Sequence, residues 1–264
     1  MDQLLSWESV EAAALLIDDA LPPGRFREVL ASFDAAIAYT RSGALLRGLA
    51  AVVPRVLGHD PTPPAGEGHA STWLSRPLAT FGVEAPEAPA IHQPTPAERE
   101  AAAPLLQRLP QGFLAIHPGS GSSAKNWPAE RFAAMAESLS PDRPWLLVEG
   151  PADDEGAGRL RTRQGVVAAS GLPLRVLGTV LAAAGVYVGN DSGVSHLSAA
   201  WGAPTVALFG PTEPRVWAPV GPFVTTVRPA DRSMASIAVE DVEAAVRRLL
   251  QVRGGRTSKR LMSR

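Results

Sequence analysis

YVGNDSGVSHLSAAWGAPTVALFGPTEP, residues 187–214, reads as a buried strand, a tight turn, a helix and a second buried strand. The strand VYVGND (186–191) ends in Asn190-Asp191, and Ser192-Gly193 turns the chain into a helix over 193–201. The leading N–H groups of such a helix have no partner within it, and the dipole favours an anion there. Gly193 lets a ligand approach the backbone closely. His196 follows Ser192 by four residues, so both fall near one face of the first turns. Asp191 or Ser192 serving only as an N-cap, and His196 as a satisfied, partly buried histidine, remain the plain alternatives.

A second turn has the same setting. HPGSGSSAKNWP (117–128) follows the apolar strand GFLAIH (112–117) and precedes a helix over 128–139. Ligands of parallel sheets bind outside the carboxyl ends of the strands, where both turns lie. Gly119, Gly121 and Ala124 imitate a dinucleotide fingerprint, with Glu149 as a ribose acid. In that fingerprint, however, the glycines themselves open the helix, whereas Pro128 defers the helix here. A P-loop would need Gly at 124 and Ser or Thr at 126, where the chain has Ala124 and Asn126. The third reading is a loop whose Ser hydroxyls, N–H groups and Lys125 meet a phosphate. Lys125 and Lys259 are the only lysines beside 23 arginines, and a compact ammonium acts on a phosphate as a point charge. A solvated loop lysine is the plain alternative.

Outward from these turns the pattern repeats. WLLVEG (145–150), PTVALFG (204–210) and FVTTVR (223–228) are further short apolar runs, separated by helical stretches at 153–163, 174–185 and 236–250. Strands alternating with helices predict βαβ units and a parallel sheet buried on both faces. The stretch 59–97 is Pro-rich and weakly periodic and reads as loop or linker. A boundary near residue 109 divides an N-terminal domain, 1–108, from a regular α/β domain, 109–252. The first contributes the strand DAAIAY (34–39) and a second candidate at PRVLGH (54–59).

Composition narrows the function classes. With 264 residues, 45% hydrophobic and 19% charged, the chain is long and apolar enough to bury a core. The net charge is -1, and no basic stripe with interleaved aromatics appears, so nucleic acid is not an expected partner. Without cysteine there is no disulfide, thiolate metal site or thiol nucleophile. No metal-ligand cluster is visible either. No apolar run has the length of a membrane span, and the start lacks a secretory signal pattern. The tail 253–264 is basic, with no acid in the last fourteen residues. It reads as a frayed, solvated end, or as a weak contact to anionic lipid.

HPGS…K-N-W-P followed by G-N-D-S-G-V-S-H-L-S-A-A-W-G-A-P-T-V-A-L-F-G-P-T-E-P resembles the ADP-heptose:lipopolysaccharide heptosyltransferases, glycosyltransferase family 9. The resemblance runs from about residue 34 to 250 and is strongest over 112–214. It implies a GT-B fold of two Rossmann-like parallel-sheet domains, the C-terminal one holding a nucleotide sugar. It implies transfer of a heptose or related sugar, with inversion, to a lipid-linked oligosaccharide acceptor. No cofactor is implied, since the nucleotide sugar is a substrate. The setting implied is cytoplasmic, at the inner face of the cytoplasmic membrane.

By the same resemblance, Ser120 and Lys125 hold the donor's phosphates, while Ser192, Gly193, Val194 and His196 form the diphosphate cradle. Asp191 lies near the donor sugar, so Lys125 and Asp191 are the leaving-group candidates. Asp154 matches the acid on the ribose hydroxyls, with Asp153 or Glu155 as one-residue alternatives. Leu172 matches the apolar side chain over the adenine, and the GPTEP turn (210–214) lines the cleft.

One departure bears on activity. The family's opening R-x-G-x-x-G-D loop, whose aspartate is the proposed base, has no match in MDQLLSWESVEAAALLIDDALPPG. The N-terminal domain is therefore expected to be incomplete by about two βα units. Asp18, Asp19 and Asp34 stand in the wrong setting, and no base is assigned. A nucleotide-sugar-binding protein with little transfer activity is accordingly the alternative function, and a nicotinamide-dependent oxidoreductase a more distant third.

Overall fold

A computed structural model describes residues 9–17, 22–85, 90–150 and 154–262, with only the backbone of 154–156 and 253–262. The chain forms two compact units, Met1–Ala85 and Pro86–Arg264. The division thus falls before the Pro96–Leu106 helix, not near residue 109. Ala102 of that helix is fully buried in the core of the second unit. Ahead of it, the His92 N–H donates to the Ala200 carbonyl at 3.0 Å, and its ring stacks on Trp201 with centroids 4.4 Å apart.

In the first unit, β1 (Ala35–Tyr39) and β2 (Arg55–His59) pair in parallel, and both strand expectations hold. Ala12, Leu15, Phe26, Ala38 and Leu49 form their core. The Pro-rich stretch after β2 is not all loop. It folds into the helix Ala70–Ser75 and the 3₁₀ segment Arg76–Phe81. The His69 ring caps the helix, and Trp73 anchors it by packing on His59 and donating to the Asp60 carbonyl at 2.7 Å.

The second unit is built on six parallel strands: β3 (Leu114–His117), β4 (Trp145–Glu149), β5 (Val166–Ser170), β6 (Val186–Asn190), β7 (Thr205–Leu208) and β8 (Val224–Val227). Their order is β5-β4-β3-β6-β7-β8. The first strand is central and later ones extend to both sides, as in a doubly wound Rossmann sheet. The four inner strands, β3, β4, β6 and β7, are mostly apolar and buried along their whole length, while the edge strands β5 and β8 are only partly buried. Ile116, Leu147 and Val188 pack on the helices Ala129–Leu139 and Val239–Met262. Ala115, Leu146 and Tyr187 pack toward the helix Leu174–Ala182.

Two further differences from the sequence reading lie in this unit. The edge strand β5 was not foreseen, because its residues VVAAS include weak strand formers. And the last helix runs on through the basic tail to Met262, so the tail is not a frayed end. Gly254 and Gly255 are poor helix formers, so propensity alone does not account for this extension; the cations of the tail do suit a helix C-terminus. No helix among the described residues is long and apolar enough to cross a membrane.

Two predictions follow from this packing. A Cβ on Gly185, just before β6, would press into the Gly112 carbonyl oxygen, which is backbone and has little room to yield. Gly185→Ala should lower the unfolding free energy by about 1–3 kcal/mol in a urea titration; an unchanged midpoint would show that the β3–β6 pairing yields. The second prediction concerns Glu98, whose carboxylate accepts from Arg175 and from the Thr95 N–H and is held at about 2, below its ordinary 4.5. A depressed pKa stabilises the fold above the unfolded value, and the contribution disappears as pH falls through the folded one. The melting temperature of Glu98→Gln should therefore sit below that of the unaltered chain above about pH 4.5. The gap should close toward pH 2; a gap independent of pH would contradict the pairing.

Candidate functional site

Strand order reverses between β3 and β6, and the turns leaving their carboxyl ends meet there. At that switch point lies a hollow of ≈ 550 Å³, within the usual range for ligand sites. His117, Ser120 and Gly121 line it from the turn after β3, and Gly150 from the end of β4. Ser192, Gly193, Val194, His196, Leu197 and Ala200 line it from the helix after β6, and Leu174 closes one side. A comparable hollow of ≈ 590 Å³, among Glu137, Arg143, Trp145 and Gly165, opens at the amino ends of the strands. Size does not separate the two; only the first stands where a doubly wound sheet binds ligands.

The helix Gly193–Ala200 presents its N-terminus to this hollow. Ser192 occupies the N-cap but its hydroxyl caps nothing; it faces His117 Nδ1 at 3.2 Å instead. The Ser195 and His196 N–H groups close onto the Ser192 carbonyl. Those of Gly193 and Val194 lead the helix and are the ones positioned for an anion.

Lys125 sits on a short 3₁₀ turn, Ser123–Lys125, and its Nζ reaches the Asp191 carbonyl at 3.0 Å and the Asp191 carboxylate at 3.3 Å. Asp191 is nearly buried, and its Oδ2 also accepts the Thr212 hydroxyl at 2.8 Å. One carboxylate thus joins the turns after β3, β6 and β7. The 210–214 turn is held in addition by Arg228, which donates to the Gly210 carbonyl at 3.3 Å and to Glu213 at 2.8 Å. Glu213 lies below the ordinary carboxylate range, first because it accepts the Arg215 N–H and then because of Arg228.

Of the residues singled out in the sequence, Ser120, Ser192, Gly193, Val194 and His196 line the hollow together. Lys125 and Asp191 form the pair beside it. The Ser120 hydroxyl lies 2.6 Å from Asn126 Oδ1 and 2.7 Å from the Ser122 carbonyl, which sets the turn's shape. Leu172 packs partly buried against the core, and Leu174, two residues on and 70% exposed, is the leucine that meets the hollow. Asp154 opens the helix Asp154–Arg161, but its side chain, that of Glu155, and all of Asp153 lie outside the described residues. Asp18 and Asp19 also lie outside them, and Asp34 is an exposed bend residue before β1.

His117 and Leu174 were not foreseen as site residues, and Thr212 was foreseen only as part of the 210–214 turn, not as the partner of Asp191. His117 ends an apolar strand, and its partner Ser192 is 75 positions away. The dinucleotide reading loses its geometry, because the helix starts only at Ala129 with Pro128 as N-cap. Its ribose acid is also engaged: buried Glu149 pairs with Arg161 at 2.8 Å. No cluster of three metal-ligating side chains occurs among the described residues.

Comparison with known proteins adds a family match. Residues 71–246 match the model of glycosyltransferase family 9 (heptosyltransferase). Lipopolysaccharide heptosyltransferase 1 of Pseudomonas aeruginosa is 37% identical over 108 residues, 39% of this chain and 30% of that protein. Lipooligosaccharide heptosyltransferase 2 of Haemophilus influenzae is 30% identical over 129 residues, 46% of this chain and 37% of that protein. The matched segment spans about a third of these curated relatives. A glycosyl transferase family 9 structure from Veillonella parvula superposes with a TM-score of 0.72 at 21% identity, covering 85% of this chain and 76% of that one. An E. coli heptosyltransferase solved with ADP gives 0.67 at 20% identity, covering 92% and 80%. These two likenesses concern the fold.

The convergence on Asp191 generates a prediction. Asp191→Ala removes the common acceptor of Lys125 and Thr212 and should lower stability by about 1–3 kcal/mol in denaturant unfolding. Asp191→Asn keeps an oxygen for Thr212 and should cost less. Equal stability of all three proteins would show that the three turns are held by other contacts.

Proposed function

Because the chain belongs to glycosyltransferase family 9 and shares the fold of GT-B heptosyltransferases, we propose that it binds ADP-heptose or a related nucleotide sugar and transfers the sugar, with inversion, to an acceptor of lipopolysaccharide-core type. The observation that carries this reading is the meeting of Lys125 and the N-terminus of the helix Gly193–Ala200 at the β3–β6 switch point. An ammonium and a helix N-terminus brought to one place suit a diphosphate.

In this reading the phosphates lie on the N–H groups of Gly193 and Val194, with the side chains of Ser120, Lys125, Ser192 and His196 around them. The apolar wall of Leu174, Val194 and Leu197 takes the adenine, with Leu172 supporting it from behind, and Asp154 takes the ribose hydroxyls. Departure of the sugar leaves a new negative charge on the diphosphate. Donors already fixed by the fold stabilise that charge without reorganising. Asp191 keeps Lys125 aimed at it. The acceptor hydroxyl attacks the opposite face of the sugar and gives its proton to a base. The nucleotide sugar is a substrate, and Lys125 with the helix terminus supplies the positive charge.

The acceptor is lipid-linked, which favours a site of action at the inner face of the cytoplasmic membrane. The five basic residues of 251–264, unaccompanied by acids, support a peripheral contact with anionic headgroups.

The direct test is release of ADP from ADP-heptose, dependent on a lipid-linked core acceptor. Acceptor-dependent release supports transfer; ADP binding without release leaves a nucleotide-sugar-binding protein; neither overturns the reading. For the donor site, Lys125→Ala should weaken ADP binding by about 1.5–3 kcal/mol, the worth of a charge-assisted contact. That is roughly ten- to a hundredfold in calorimetric Kd. An unchanged Kd would return Lys125 to a surface role.

A further inference from the structure

Asn190 is the last residue of β6 and is fully buried. Its Nδ2 donates to the Pro118 carbonyl at 2.6 Å, and its Oδ1 accepts the Trp127 N–H at 3.1 Å. Its own carbonyl accepts the Ser195 hydroxyl at 2.6 Å, which ties the same residue to the helix Gly193–Ala200. The orientation of the amide is dictated by its partners, since a carbonyl only accepts and a backbone N–H only donates. A carboxylate in this place would have no hydrogen for Pro118, and an aliphatic side chain would serve neither group.

Pro118 and Trp127 are the two ends of the turn that carries Lys125. From these contacts we infer that Asn190 is a positioning residue: it clamps both ends of the 118–127 turn, and so holds the Lys125 ammonium at the donor phosphates. Adjacent residues divide the work. Asn190 fixes the turn's span from below, and Asp191 meets the ammonium at its tip. The 3.5 Å approach of Asn190 Nδ2 to Asn126 Oδ1 adds a third point, beside Ser120. The inference rests on the reading of Lys125 as a phosphate ligand, but the clamp itself can be observed without any ligand.

Two measurements on the full chain test it, using Asn190→Ala and, should that variant fold poorly, Asn190→Ser. The first compares amide hydrogen exchange across 118–128 and acetylation of Lys125 relative to Lys259, the only other lysine. Release of the clamp should speed exchange at Trp127 and labelling of Lys125 by about tenfold or more. Unchanged rates would overturn the clamp. The second is calorimetry with ADP and with adenosine, which lacks the phosphates, on the unaltered chain, Asn190→Ala, Lys125→Ala and the double variant. A residue acting through Lys125 should weaken ADP about tenfold, leave adenosine unchanged, and add little in the Lys125→Ala background. Equal losses for ADP and adenosine, or additive effects, would overturn positioning in favour of general disruption. If the unaltered chain binds no ADP, the donor-site reading fails, and the exchange comparison still decides the clamp.

Discussion

The contact between the Lys125 ammonium and Asp191 joins two turns that the chain makes 66 residues apart. Everything proposed for the site depends on it. In the turn after β3 only the single 3₁₀ turn Ser123–Lys125 precedes the α-helix at Ala129, so that turn offers a ligand hydroxyls and one cation and no α-helix N-terminus. The turn after β6 offers a helix N-terminus and carries no cation of its own. Brought together, they place a helix N-terminus and an ammonium, the latter paired with Asp191, at one point, which is what the proposed diphosphate site rests on. Asp191 can hold the lysine because its carboxylate is also bound by Thr212, and is itself placed by the end of a strand buried on both faces.

The same constraint explains why a glycine-rich loop here does not make a dinucleotide site. In a dinucleotide fold the glycines let the helix begin at once and put the pyrophosphate on its first turn. Here Pro128 postpones the helix, and the loop is held from beneath by Asn190. The helix whose N-terminus opens on the hollow is the one across the switch point, after β6. Glu149, which would have been the ribose acid, is nearly buried against Arg161.

Much of this was legible in the sequence because parallel strands buried on both faces read as continuous apolar runs. Five of the six strands of the second unit announce themselves so, as do both turns and the residues on them. VVAAS at β5 does not: its alanines read as helix or loop, and only Gly165 and Gly171, both at positive φ, bracket it. The unit boundary was misplaced because the Pro96–Leu106 helix looks like an independent segment until its contacts with Arg175 and the core are seen. His117 and Asn190 stayed silent for a related reason. Each acts through a partner distant in sequence, Ser192 or Pro118, and neither spacing nor residue type records such pairs. Leu172 and Leu174 are indistinguishable as letters; where the next helix begins decides which one meets the hollow.

The central claim is that one nucleoside diphosphate occupies the junction of the turns after β3 and β6. Amide hydrogen exchange of the full chain, with and without saturating ADP, measures it residue by residue. The account predicts that protection appears together over 119–127 and 192–196. Protection confined to the amino ends of the strands around 140–145, or to neither turn, would contradict it.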